Sequence, residues 1–194
     1  MSETATPNKV KYGLKNVHYA RVTFGANGAP TFETPVEIPG AVNLSMNRSG
    51  SNVVFYASDG VYFEIGDNQG MDGDLEIALI PDDFRTDCLG ESQDSNGVLS
   101  EGAELTLGHF ALLFEFTEDV KAVRHVLYNC TAREGTVAGA TKRENIEVQT
   151  ETLNLSAKPL PGGGKVKART SASTTSTVYD SWYESVYTGP AASG

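Results

Sequence analysis

Three histidines, two cysteines and twenty-five carboxylates are the side chains of this 194-residue chain that could hold a metal or move a proton. His18, His109 and His125 fall on separate expected strands, without the short spacing that brings imidazoles onto one ion, so each reads as a core or edge histidine. Asp67-Asn68-Gln69-Gly70-Met71-Asp72-Gly73-Asp74 opens like a calcium loop. Its third and fifth ligand positions would be Gln69 and Met71, and no acid stands at the twelfth, so it reads as a turn. Gly162-Gly163-Gly164-Lys165 lacks the spacing and the Ser/Thr of a phosphate-binding loop. Glycoside hydrolysis needs two carboxylates a few ångströms apart, but with so many acids proximity alone would prove little. Cys88 and Cys130 read as reduced, buried small hydrophobes. No catalytic, metal or cofactor set emerges, and the chain is expected not to be an enzyme.

The carboxylates are concentrated. From Glu64 to Asp119 there are fifteen Asp or Glu and one basic residue, Arg85. The whole chain carries a net charge of −10. Tight binding to nucleic acid needs neutralising Lys and Arg, so affinity-driven DNA binding is excluded, as is attraction to anionic membranes. Nothing approaches the roughly 20 apolar residues of a membrane span, and Met1–Pro7 has neither a basic nor an apolar leader region. The chain is therefore expected to be made and kept in the cytoplasm of its producing cell.

The elements that position these residues have a period of two. Val10 to Phe24 reads as a broken strand, Gly25–Gly28 as a turn, and Pro30 to Ile38 as a proline-punctuated edge strand. Ala41 to Met46 is a short strand. Gly73 to Ile80 alternates Asp74, Glu76 and Ala78 with Leu75, Ile77 and Leu79, a half-wet strand that Pro81 ends. Asp82 to Leu89 is expected as a short helix, with two acids at its positive end and Gly90 as its stop. His109 to Phe116 puts Phe110, Leu112, Phe114 and Phe116 on one face, and Ala122 to Thr131 is its antiparallel partner. Glu144 to Ala157 reads as a long strand, polar at Glu147, Gln149 and Glu151 and apolar at Leu153 and Leu155 on the same side. The sum is a mainly β chain, an antiparallel sandwich or split barrel, with one short helix and a C-terminal helix.

Two segments depart from this pattern. Asn43 to Gly73 is long and Gly/Ser/Asn-rich, yet carries Val53, Val54, Phe55, Tyr56, Val61, Tyr62 and Phe63. It is either a hairpin folded on its own core or an arm for another subunit. The chain divides into a β domain over residues 1–160 and a tail over 161–194. In the tail, Pro161–Gly164 is a flexible joint, Lys165, Lys167 and Arg169 a basic strand-like segment, and Thr177–Asp180 a capping box opening an aromatic helix. That helix, with Tyr179, Trp182, Tyr183 and Tyr187, must bury itself on its own subunit or on a neighbour.

Several segments taken in order carry a likeness: residues 8–20, Ile38-Pro39-Gly40-Ala41-Val42-Asn43-Leu44-Ser45, Gly73 to Glu91, and Ala111-Leu112-Leu113-Phe114-Glu115-Phe116. Residues 123–132, Glu151-Thr152-Leu153-Asn154-Leu155-Ser156-Ala157 and Trp182-Tyr183-Glu184-Ser185-Val186-Tyr187 complete it. Together they resemble the major tail, or tail-tube, protein of long-tailed (siphovirus-type) phages and prophages of Gram-positive bacteria, over about residues 8 to 188. The resemblance implies a virion protein, assembled in the host cytoplasm, whose copies form hexameric rings. The rings stack into a tube around a tape-measure protein, between distal tail and tail-terminator proteins, and DNA passes through the lumen without specific binding.

Under that resemblance Arg48, Val54, Phe55 and Tyr56 are the expected ring-stacking loop. Asp74, Glu76, Glu147 and Glu151 are the expected lumen-facing acids, and Tyr179, Trp182, Tyr183 and Tyr187 an inter-subunit helix. Like charge lining a lumen would keep passing DNA from sticking. The competing reading is a monomeric carbohydrate-binding β-sandwich, with Phe55, Tyr56, Tyr62 and Phe63 as a sugar platform.

Overall fold

The computed structural model describes residues 8–137, 139, 141, 148–162 and 164–190. Its strands are β1 (Lys11–Phe24), β2 (Pro30–Phe32), β3 (Val36–Glu37), β4 (Ala41–Ser49), β5 (Asn52–Ala57), β6 (Gly60–Gly66) and β7 (Gly70–Ile77). They continue as β8 (Ser92–Gln93), β9 (Leu99–Ser100), β10 (His109–Glu118), β11 (Val123–Glu134), β12 (Glu151–Ala157) and β13 (Lys167–Arg169). The main sheet runs β2-β1-β10-β11-β12-β7-β4, all antiparallel, with β3 also on β1 and β13 also on β11. It is a mainly β fold with two short helical segments, as its periodicity predicts.

The long strand β11 makes the sheet a split one. Its first part, His125–Leu127, pairs with β13, and its last part, Cys130–Glu134, pairs with β12. The sheet therefore curls, and β4 comes back beside β1. Gly73 allows the curl: a Cβ there would lie 1.8 Å from the Ser45 carbonyl oxygen, so only glycine lets β7 pass β4 so closely. β1 breaks as expected, with register shifts at Gly13 and Asn16, both of positive φ. The expected edge strand after it splits in two at Glu33–Pro35.

Inside the curl lies a core that includes Val17, Tyr19, Leu75, Ile77, Phe110, Leu112, Leu127, Leu153 and Leu155. One end is plugged by α1 (Asp82–Phe84) and the π-helical turn Arg85–Leu89 that continues it, stopped by Gly90 at φ 82°. Phe84 meets Tyr19 and Phe110 edge to face. β7 ends at Ile77, before the expected Ile80, because the chain swings out after Ala78 to reach this plug. Leu79, expected on the apolar face, is consequently exposed, while Ile80 is buried.

A second core lies on the other side of β1, β10 and β11. Ala20, Val22, Ala111, Leu113, Val126 and Tyr128 are covered there by Trp182 and Val186. β10 is thus apolar on both faces, as a central strand between two cores must be. The cover is α2 (Ser176–Asp180) and the 3₁₀ turn Ser181–Tyr183. The helix starts at Ser176, with Thr175 as its cap residue and no side-chain cap bond, so the expected capping box at Thr177 lies inside it. Ser181 Oγ instead donates back to the Thr177 carbonyl. At the expected joint the Gly164 N–H donates to the Leu160 carbonyl.

Candidate functional site

The outer face of β4, β7 and β12 is polar in three cross-strand rows. Asn43, Glu76 and Thr152 form one, Ser45, Asp74 and Asn154 the next, and Asn47, Asp72 and Ser156 the third. Short polar side chains on all three strands make this a hydrated, low-profile acidic surface. Ser156 Oγ donates to Asp72 at 2.6 Å, which is the main reason that the carboxyl of Asp72 is held below its usual range; Lys158 adds an ion pair at 3.3 Å. Thr150 Oγ1 donates to Glu76 at 2.6 Å. Asp72 was not among the expected acids, although its parity with Asp74 and Glu76 is the signal that would have found it.

The four expected lumen-facing acids do not share this surface. Asp74 and Glu76 lie on it, and Glu147 lies outside the described residues. Glu151 has the parity of Leu153 and Leu155 and so turns to the core side of the sheet. There its carboxylate accepts the Ile80 N–H at 2.5 Å and lies 3.5 Å from Arg85 Nη2. Arg85 also pairs with Glu91 at 3.1 Å and with both oxygens of Glu134, at 3.0 and 3.2 Å. The lone base of the acidic stretch is a clamp that ties the helical plug to β11, β12 and the Glu91 loop.

The segment expected as a hairpin folded on its own core or as an arm is a regular antiparallel hairpin, β5–β6, turned at Ser58 and Asp59, both of positive φ. Its ladder continues that of β4 and β7 through Asp67 N–H to Ser51 O and Gln69 N–H to Ser49 O. Phe55, Tyr56, Val61, Tyr62 and Phe63 are 56–75% exposed, so the hairpin does not fold back on its own core. Of the expected stacking residues, Phe55 and Tyr56 are on this exposed arm, Val54 is half-buried, and Arg48 sits at its root opposite Met71.

Tyr179, Trp182, Tyr183 and Tyr187, expected at a subunit boundary, pack on their own chain. Trp182 is buried and donates its indole N–H to the His125 carbonyl at 3.3 Å. Arg124 stands 3.9 Å from the Tyr179 ring centroid and 5.1 Å from that of Tyr183, pairs with buried Glu115 at 3.1 Å and donates to the Tyr179 carbonyl. Trp182 and Val186 thus cover the second face of β10 within their own chain.

The end of the sandwich opposite the helical plug is open. A pocket of about 230 Å³ enters it between Leu44, Met46, Met71, Phe114 and Phe116, with Lys11, His125 and Lys167 at its sides. His125 stacks flat on Phe114 at 5.0 Å. Burial, then the positive charges of Arg169, Lys167 and Lys11, push its pKa down to about 4. Because the folded value lies below the ordinary 6.5, the unfolded chain binds the extra proton first. Stability is therefore expected to fall as pH drops from about 6.5 towards 4. His125→Gln should flatten that part of a melting-temperature profile; an unchanged profile would refute it.

Cys88 and Cys130 are buried, and burial raises both thiols, so neither is a thiolate near neutral pH. Among the described residues no three His, Cys, Asp or Glu are placed to hold a metal, and no helix is long and apolar enough to cross a membrane.

No family model matches the chain, and no curated protein matches it. One solved structure to which it is similar is the cap of the anti-feeding prophage, the tube-terminating cap, determined by cryo-EM. The two share 12% identity at a TM-score of 0.44, over 88% of this chain and 99% of that chain.

Proposed function

We propose that this chain is a structural tail-tube protein of a long-tailed phage or prophage, acting without catalysis or cofactor. Copies close into hexameric rings that stack around a tape-measure protein, between distal tail and terminator proteins, and DNA leaves through the lumen. The observation that carries this reading is the β5–β6 arm. It places four aromatic side chains in water, among them the edge-to-face pair Phe55 and Tyr62, on a hairpin that pairs with no other strand of the described chain. Exposed apolar patches of this kind mark sites of association. The segments that resemble tail-tube proteins, and the polar rows around Asp72, Asp74 and Glu76, support it. The rows are a surface that DNA can pass without adhering.

Negative-stain microscopy of concentrated protein tests the assembly. Wild-type protein is expected to form rings or tubes, and Arg48→Glu with Phe55→Ser to remain a folded monomer. Normal tubes from that double variant would refute the role of the arm. For the lumen, Asp74→Lys with Glu76→Lys is expected to slow DNA ejection severalfold in a phage carrying it; unchanged ejection kinetics would refute the assignment. The carbohydrate reading fits the hairpin less well. Phe55 and Tyr62 meet at 83°, edge to face, so they do not offer one flat platform to a sugar ring.

A further inference from the structure

The arm and the open pocket belong to the same end of the sandwich. β4 and β7 carry Met46 and Met71 into the pocket and, a few residues further on, become the arm. The two surfaces are complementary in chemistry. The arm exposes Phe55, Tyr56, Tyr62 and Phe63 around a turn bearing Asp59, and residues 50–69 contain no Lys or Arg. The pocket has an apolar floor of Leu44, Met46, Met71 and Phe116, and Lys11 and Lys167 beside it. Lys11 Nζ already lies 4.6 Å from the Phe116 ring centroid, in the geometry by which an ammonium holds an aromatic face.

We propose that the β5–β6 hairpin of one copy docks in this pocket of a second copy, with its aromatic rings on the methionine and phenylalanine floor and its acidic turn towards Lys11 and Lys167. This rests on the self-assembly reading above and names the acceptor surface. An aromatic anchor entering a desolvated pocket is where interface energy concentrates. An acidic turn would meet Lys11 and Lys167, whose charges add to the burial that lowers the pKa of His125. Donor and acceptor are different surfaces, so a one-way contact closes into a ring or propagates, whereas a reciprocal exchange stops at a two-fold dimer; the ring reading above takes the one-way contact. Both lie at one end of the subunit, so the contact is assigned to copies standing side by side in a ring, in place of the stacking contact expected for Phe55 and Tyr56.

Photo-cross-linking tests this directly. Benzoylphenylalanine at position 56 in the full chain, photolysed in an equal mixture of ¹⁴N- and ¹⁵N-labelled protein, should give mixed-isotope adducts at Met46 and Met71. Lys11→Glu with Lys167→Glu should cut their yield at least fivefold, with circular dichroism checking that the variant is folded. Met46→Trp, which fills the pocket, should do the same. Rings or tubes whose adducts map elsewhere would overturn the pocket assignment and leave the tube reading standing. Protein that gives neither assemblies nor adducts would overturn both. A pocket that binds decanoate by thermal shift while yielding no mixed adducts would overturn it in favour of an amphiphile.

Discussion

Trp182→Ala is expected to destabilise the protein by about 3–5 kcal/mol, the range for deleting a large aromatic from a packed interior. Trp182 is the centre of the cover over the second core, stacked on Tyr187 at 5.6 Å and bonded to the His125 carbonyl. Without it, Ala111, Leu113 and Val126 lose the roof that makes β10 tolerable as a strand apolar on both faces. Chemical denaturation of the soluble variant measures this; a loss below about 1 kcal/mol would show that the helix is a decoration. Trp182→Phe should recover more than half of the loss, since it keeps a ring in place and gives up the N–H.

Arg85→Met is the second large effect, expected at about 3 kcal/mol. Removing one partner of a half-buried ionic cluster leaves the others facing each other without a counter-charge, which is costlier than never having built it. Here Glu91, Glu134 and Glu151 would be left around an empty centre. Adding Glu134→Gln to Arg85→Met removes one of the charges left unpaired and should recover part of the loss. No recovery in that double variant would mean that the cost is lost packing and not unpaired charge. Arg85→Lys should lie between wild type and Arg85→Met, because an ammonium cannot hold both oxygens of Glu134 in a fork.

Most of the fold was legible from the sequence, and the exceptions have physical causes. The pattern of Phe110, Leu112, Phe114 and Phe116 located β10 and its inner face because a period of two is unambiguous there. Its other face, Ala111 and Leu113, is equally apolar, and periodicity cannot say what covers a strand buried twice. Aromatic content showed that the helix around Trp182 must be buried, but nothing local distinguishes a roof on its own chain from one on another. Glu151 was misplaced for a different reason. Its parity pointed inwards, yet its charge suggested solvent, and only the approach of Arg85, 66 positions earlier in sequence, makes an inward carboxylate tolerable. The sole basic residue in a run of acids was a visible clue that one cation serves several anions. A hairpin was one of the two readings of Asn43 to Gly73, but its Gly, Ser and Asn content hid that its ladder continues β4 and β7 and carries it away from the core.

That continuity has a mechanical consequence. The bonds of an antiparallel ladder run across the strands. A pull along β5 and β6 would reach β4 and β7 as shear shared over their bonds to one another and, through β7, to β12. An arm joined by a loop would hinge under such a load, whereas this one would transmit it. Tension applied at Phe55 or Tyr62 would therefore be borne by the sheet beneath the acidic rows, giving the subunit a stiff tendon anchored in its wall.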